Sequence, residues 1–197
     1  MISFNIILFD GFETLDVFGP AELIGNLPSL YELGYYSLNG GIAESSQKAK
    51  VHAMPFSDID ASGVLLIPGG MGARSLVNDE NFIEQLKILS EKASYVLTVC
   101  TGSALVAKTG LLNGLKATTY KMGFEWASSN GPQVNWIKKA RWVKDGKYYT
   151  SSGVSAGIDM SLGFVGDLHG IETVQTITKD IEYVWNPNPE NDPFAVE

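Results

Sequence analysis

The chain has few of the residues that small folds use as staples or metal ligands: its 197 residues include one cysteine, Cys100, and two histidines, His52 and His169. A single cysteine excludes an intrachain disulfide framework, and two scattered histidines give no zinc-ligand spacing, so no metal is expected. Long hydrophobic runs are also missing, and the N-terminus, Met1-Ile-Ser-Phe-Asn5, has neither a basic leader nor a cleavage signal. A soluble cytoplasmic protein without a membrane partner is expected. Cations are scarce, with 14 Lys and Arg against 22 Asp and Glu for a formal charge of -8. The densest basic segment, Lys138, Lys139, Arg141 and Lys144, suits a solvated strand face better than a phosphate-tracking stripe, which disfavours nucleic acid. There is no P-loop, and Gly69-Gly70-Met71-Gly72 is not the spaced dinucleotide fingerprint, so no organic cofactor is expected.

What is present is an alternation of short apolar runs with amphipathic stretches. Phe4–Phe9, Tyr35–Leu38, Val64–Ile67 and Tyr95–Val99 read as strands. Phe82, Ile83, Leu86 and Leu89 share one helical face after Asn78-Asp79-Glu80, which suit an N-cap and first turn. Ser155 reads as the cap of a helix running through Leu168 and stopping at Gly170, and Val174, Ile177, Ile181 and Val184 then recur at helical spacing. Trp142–Tyr149 reads as a hairpin, because Asp145-Gly146 between β-formers supplies positive φ. The expected fold is an α/β, mostly parallel sheet with an antiparallel addition. One domain over 1–185 and a Pro/Asn-rich arm over 186–197, which cannot be helical and either lies as an ordered arm or frays, complete the expected organisation.

Functional groups of an open parallel sheet gather beyond the carboxyl ends of its strands. Cys100 stands where Tyr95–Val99 meets Thr101-Gly102-Ser103 and a new apolar periodicity, so a thiol sits at a strand-turn-helix corner beside free backbone N–H groups that favour thiolate. A buried packing cysteine is the competing reading. Asp16 follows the first strand, between Leu15 and Val17, on a helix kinked or restarted at Pro20. It is either a partly desolvated proton carrier or an acid favoured by the helix dipole. Gly70, after the third strand, permits a backbone N–H to face a ligand oxygen, or is only a turn. Asp159, at the start of a late helix, reads as structural, stabilising that helix's first turn.

Together these segments resemble the ThiJ/PfpI superfamily, through Phe9-Asp-Gly-Phe-Glu-Thr-Leu-Asp-Val-Phe-Gly-Pro20, Leu66-Ile-Pro-Gly-Gly70, Val99-Cys-Thr-Gly-Ser-Ala-Leu-Val106, Gly110-Leu-Leu-Asn-Gly114, Ala117-Thr-Thr119 and Gly153-Val-Ser-Ala-Gly-Ile-Asp159. The resemblance implies a flavodoxin-like three-layer sandwich related to the class I glutamine amidotransferases. It is strongest to the isocyanide hydratase branch, in which an aspartate of a Leu-Asp-x-x-Gly-Pro segment faces a Cys-Thr-Gly elbow. It implies Cys100 as nucleophile, Asp16 as acid/base partner, Thr101 as a positioning residue and a small-molecule substrate. It also implies an oxyanion pocket from the N–H groups of Gly70 and Thr101 beside Gly69, walled by Gly153 and Val154, and a homodimer.

Two departures narrow this. Thr101 stands where the peptidase-like branch has histidine, and Tyr120 replaces a histidine common after Ala-Thr-Thr, so peptide hydrolysis by a Cys-His dyad is not expected. The expected activity is hydration of an isocyanide to an N-formamide. A thiol-based redox or stress protein and an α-oxoaldehyde enzyme are the alternatives. A sensor domain of a transcription regulator is disfavoured, because no helix-turn-helix module follows Glu197.

Overall fold

The computed structural model describes residues 1–195. The chain begins β1 (Ile2–Ile7), α1 (Thr14–Gly25), β2 (Tyr31–Ser37), β3 (Asn39–Glu44), β4 (Lys50–Pro55) and β5 (Val64–Ile67). It continues through α2 (Ala73–Leu76), α3 (Glu80–Lys92), β6 (Tyr95–Thr98), α4 (Gly102–Lys108), β7 (Lys116–Ala117), α5 (Phe124–Ser129) and β8 (Asn135–Trp136). The last elements are β9 (Trp142–Asp145), β10 (Tyr148–Ser151), α6 (Ala156–His169) and α7 (Ile171–Asp180).

Eight strands form one sheet in the order β3-β4-β2-β1-β5-β6-β10-β9. The inner strands pair in parallel, and β3 and β9 close the edges in antiparallel pairs. All four residues of β5 are buried, as a parallel strand covered on both faces requires. Helices α1, α6 and α7 pack as one group, while α4 packs with α2, α3 and α5. This is the flavodoxin-like α/β architecture expected. Strand order reverses between β1 and β5, so a crevice opens beyond their carboxyl ends.

Several boundaries differ from expectation. The first strand begins at Ile2, and the second runs back to Tyr31 across Glu32 and Gly34. The β3-β4 pair was not expected; Gly40, Gly41 and the exposed Ile42 break any alternation that would announce it. Helix α1 runs unbroken through Pro20 rather than restarting there. Asp79 caps α3 by accepting the Phe82 N–H at 3.0 Å, but Ser155 makes no side-chain cap to α6. In the β9-β10 hairpin Asp145 pairs with Tyr148, and Gly146 supplies the positive φ of 57°.

The expected periodicity after Gly170 fails at its end. Helix α7 stops at Asp180, Glu182 takes a positive φ of 51°, and Val184 is 91% exposed. That turn sends Tyr183 inward, where its hydroxyl donates to Asp159 Oδ1 at 3.0 Å. The following segment, 186–195, has no helix or strand and is tied down. The Arg141 N–H donates to the Pro189 carbonyl at 2.8 Å, and the Asp192 N–H donates to that of Lys139 at 2.7 Å. Residues 196–197 of the expected arm lie outside the described residues.

The basic segment is also not a solvated strand face. Lys138, Lys139 and Lys144 are exposed, but Arg141 is buried and its Nε donates to Asp159 Oδ2 at 2.6 Å, with Asp192 Oδ1 3.5 Å from Nη1. Asp159 is therefore structural, but its carboxylate holds Arg141 and the C-terminal segment rather than its own helix N-terminus. Among the described residues no helix is long and apolar enough to cross a membrane, and no group of three His, Cys, Asp or Glu could hold a metal ion.

Candidate active site

Three strand ends meet in the crevice. The loop after β1 and the loop after β5 are zipped together: Phe12 bridges Gly70, the Glu13 N–H donates to the Gly69 carbonyl at 2.9 Å, and the Gly72 N–H donates to that of Gly11 at 3.1 Å. A Cβ built on Gly70 would lie 2.3 Å from the Gly11 carbonyl oxygen, so only glycine permits this approach. Asp16, in the first turn of α1, is thereby brought under the β5 loop. It is fully buried, and its Oδ2 accepts the Gly69 N–H at 2.8 Å. Its Oδ1 is buried without a hydrogen-bond partner among the described residues.

Cys100 follows β6 with φ of 57°, the strained elbow expected of a nucleophile corner. Its N–H donates to the Ser152 carbonyl at 3.1 Å, while its own carbonyl accepts Ser103 Oγ at 2.9 Å and Thr119 Oγ1 at 3.0 Å. These bonds hold the elbow and leave the thiol facing Asp16, Thr101 and Val154. Gly69 lies between the thiol and the carboxyl: a Cβ there would be 3.0 Å from Cys100 Cβ and 2.5 Å from Thr101 N. Val154 has a positive φ of 41°, an uncommon state for a β-branched residue. That conformation turns its N–H toward the sulfur.

Electrostatics differ from the expectation of a ready thiolate. Burial pushes Asp16 up to about 7, opposed by the Gly69 N–H and reinforced by the Glu13 carboxylate. Burial, then the Asp16 carboxylate, push the Cys100 thiol well above its usual range, although the N–H groups of Thr101 and Val154 and the Thr101 hydroxyl pull the other way. Helix α4 has seven residues, and Cys100 is only 5% exposed, so desolvation outweighs the helix dipole.

The expected oxyanion pair is only half available in this state. The Gly70 N–H donates to Thr101 Oγ1 at 3.1 Å and is already engaged. The N–H groups that act on the sulfur are those of Thr101 and Val154. Tyr120 packs its ring on Gly153, where a Cβ would lie 2.5 Å from Cδ2, and thus joins the Gly153-Val154 wall. The histidines lie elsewhere: His52 is exposed on β4, and His169 Nε2 is 2.7 Å from the Tyr31 hydroxyl.

Sequence reasoning assigned no role to Thr119, Ser103, Gly123, Arg74 or Trp126. Ser103, in the turn after β6, and Thr119, in the Ala117-Thr-Thr119 segment, stood in segments that carry the resemblance, whereas Gly123, Arg74 and Trp126 come near the elbow only through tertiary packing. A wide hollow of about 730 Å³ lies elsewhere, lined by Trp142, Tyr149 and Trp185, and contains none of the elbow residues. Converging reactive groups, not size, make the elbow the candidate site.

A family model described as DJ-1/PfpI matches residues 3–166. The chain is 30% identical to an isonitrile hydratase of Pseudomonas putida over 99% of this chain and 86% of that protein. It is 25% identical to Protein dj-1beta of Drosophila melanogaster over 76% of this chain and 81% of that one. A solved structure of a ThiJ/PfpI family protein from Pseudomonas syringae superposes with a TM-score of 0.85 at 24% identity, covering 94% of this chain and 76% of that one. With a family match across most of its length, the chain belongs to the DJ-1/PfpI family.

Proposed function

We propose that the protein is an isocyanide hydratase, converting R–N≡C and water to the N-formamide R–NH–CHO. One observation carries this reading: a buried thiol stands near enough to a buried carboxyl with one unpartnered oxygen for the carboxylate to push the thiol up, and neither histidine is close to them. The similarity to an isonitrile hydratase supports the same substrate class.

With the thiol pushed up and Asp16 near 7, the resting pair holds its proton on sulfur while Asp16 is partly carboxylate at neutral pH. Asp16 takes the thiol proton as sulfur bonds to the isocyanide carbon, then returns it to that carbon, leaving the thioimidate R–N=CH–S. The N–H groups of Thr101 and Val154 stabilise charge on sulfur during the exchange. Asp16, again a carboxylate, removes a proton from water as the hydroxyl adds to the same carbon. Asp16 passes that proton to the nitrogen, the C–S bond breaks as the added hydroxyl becomes the carbonyl, and the hydroxyl's proton goes to sulfur, so that formamide leaves with the thiol and the Asp16 carboxylate restored. Thr101 Oγ1, between the Gly70 N–H and the sulfur, positions the elbow and the attacking water.

The redox alternative is less well served, because peroxide attacks thiolate and the burial of Cys100 disfavours it. Peptide hydrolysis lacks its histidine. The family resemblance supports a homodimer, and Leu15 and Phe18, 40% and 37% exposed on α1, give that helix an apolar outer face.

The test is formamide production from a simple aryl isocyanide, followed by loss of the isocyanide infrared band. The wild type is expected to turn over and Cys100→Ala to be inactive. No turnover by the wild type, with selective oxygen addition at Cys100 after mild peroxide, would move the assignment to the redox reading.

A further inference from the structure

Arg74, on the short helix α2, is exposed; its backbone N–H donates to the Met71 carbonyl at 3.1 Å, but its guanidinium has no hydrogen bond or ion pair to any other described residue. Its guanidinium nevertheless has a fixed seat, 4.6 Å from the centroid of the Trp126 ring on α5. Stacking on an aromatic face orients the planar fork and leaves its edge donors free. One of its nitrogens, Nη2, lies close to Gly123, beside the elbow. A Cβ built on Gly123 would lie 3.2 Å from Tyr120 Cδ1, 3.8 Å from Arg74 Nη2 and 3.9 Å from Thr101 Cγ2. One point is therefore shared by the guanidinium, the Tyr120 ring and the residue adjoining the nucleophile.

Gly123 has φ of -108°, which a residue with a side chain can adopt. Its lack of a side chain keeps the space between Arg74, Tyr120 and Thr101 open, and no turn requires it.

We infer that Arg74, seated on Trp126 across the gap at Gly123, binds a carboxylate on the substrate whose electrophilic carbon meets Cys100. The substrate class is then an isocyanide bearing a carboxylate near the reacting group, with a carboxylate-bearing formamide as product. This rests on the hydratase reading for the identity of the electrophile, but not for the presence of the anion subsite. Arg74 is a specificity residue and takes no part in bond making.

Two assays separate those levels. In the first, kcat/KM is measured for isocyanoacetate and for its methyl ester. The wild type is expected to favour the acid about tenfold, mainly through KM, since a charge-assisted guanidinium-carboxylate pair at a partly open site has that size. In Arg74→Met the ratio falls toward one, and Arg74→Lys restores part of it. The preference also weakens as salt is raised.

The second assay needs no turnover: Cys100 is alkylated by iodoacetate or by iodoacetamide, with sulfur displacing iodide in each case. The wild-type rate ratio of anionic to neutral reagent is expected to exceed that of Arg74→Met by about tenfold. Equal ratios in the two proteins would overturn the anion subsite. An Arg74-dependent alkylation ratio without isocyanide turnover would retain the subsite and reject the hydratase reading.

Discussion

At the scale of single residues, the site depends on a carboxyl kept where it is costly to ionise. Asp16 changes from 3.8 to about 7 on folding, which corresponds to about 4 kcal/mol. Because the folded value is the higher one, the cost is absent below pH 4, grows as the unfolded carboxyl ionises, and is complete above pH 7. Asp16→Asn is therefore expected to raise the melting temperature by about 8–16 °C at pH 8 and hardly at all at pH 4, while lowering turnover by about 10²–10⁴. Equal shifts at both pH values in thermal scans would refute the electrostatic account. Gly69→Ala places a Cβ 2.5 Å from Thr101 N and Oγ1. Overpacking of this kind costs about 1–3 kcal/mol, and kinetics should show lost turnover in protein that remains folded by circular dichroism.

At the scale of elements, the loops after β1, β5 and β6 form the site, and the segment after α7 braces one side of the sheet. Arg141 joins Asp159 on α6 to Asp192 in that segment, and Lys121 Nζ donates to Thr118 Oγ1 at 2.9 Å and to the Ala140 carbonyl at 2.6 Å nearby. Breaking a buried ion pair by removing one partner typically costs about 3–5 kcal/mol. Arg141→Met is expected to lose that amount in urea titrations and to expose 186–195 to limited proteolysis. An unchanged midpoint with a protected segment would show that the arm is held by its backbone bonds alone. None of this brace was legible beforehand, because Arg141 lies in a lysine-rich stretch and its partners stand 18 and 51 residues away. By contrast, β5, β6 and α3 were legible because full burial or strict helical spacing writes itself into a local run.

At the scale of the whole molecule, the parallel order of the sheet assembles Asp16, Gly69 and Cys100 from positions 16 to 100. The strand ends were readable, so the placement of Asp16 and Cys100 at neighbouring loops was too. The protonation of the pair was not, because it depends on burial by the whole fold: a helix start alone argued for thiolate, and the enclosed elbow reverses it. The committed Gly70 N–H and the Arg74-Trp126 pair likewise exist only after packing. The apolar outer face of α1 leads to a further expectation, that the protein elutes on a calibrated sizing column at twice 21.3 kDa. Elution at the monomer mass would leave Leu15 and Phe18 as ordinary exposed residues.

The most direct test of the central claim is intact-mass analysis of protein quenched in acid during isocyanide turnover. A gain of one isocyanide mass, mapped to Cys100, lost as formamide accumulates and absent from Cys100→Ala, is the result expected. Formamide production without that adduct, or retained by Cys100→Ala, would contradict the account.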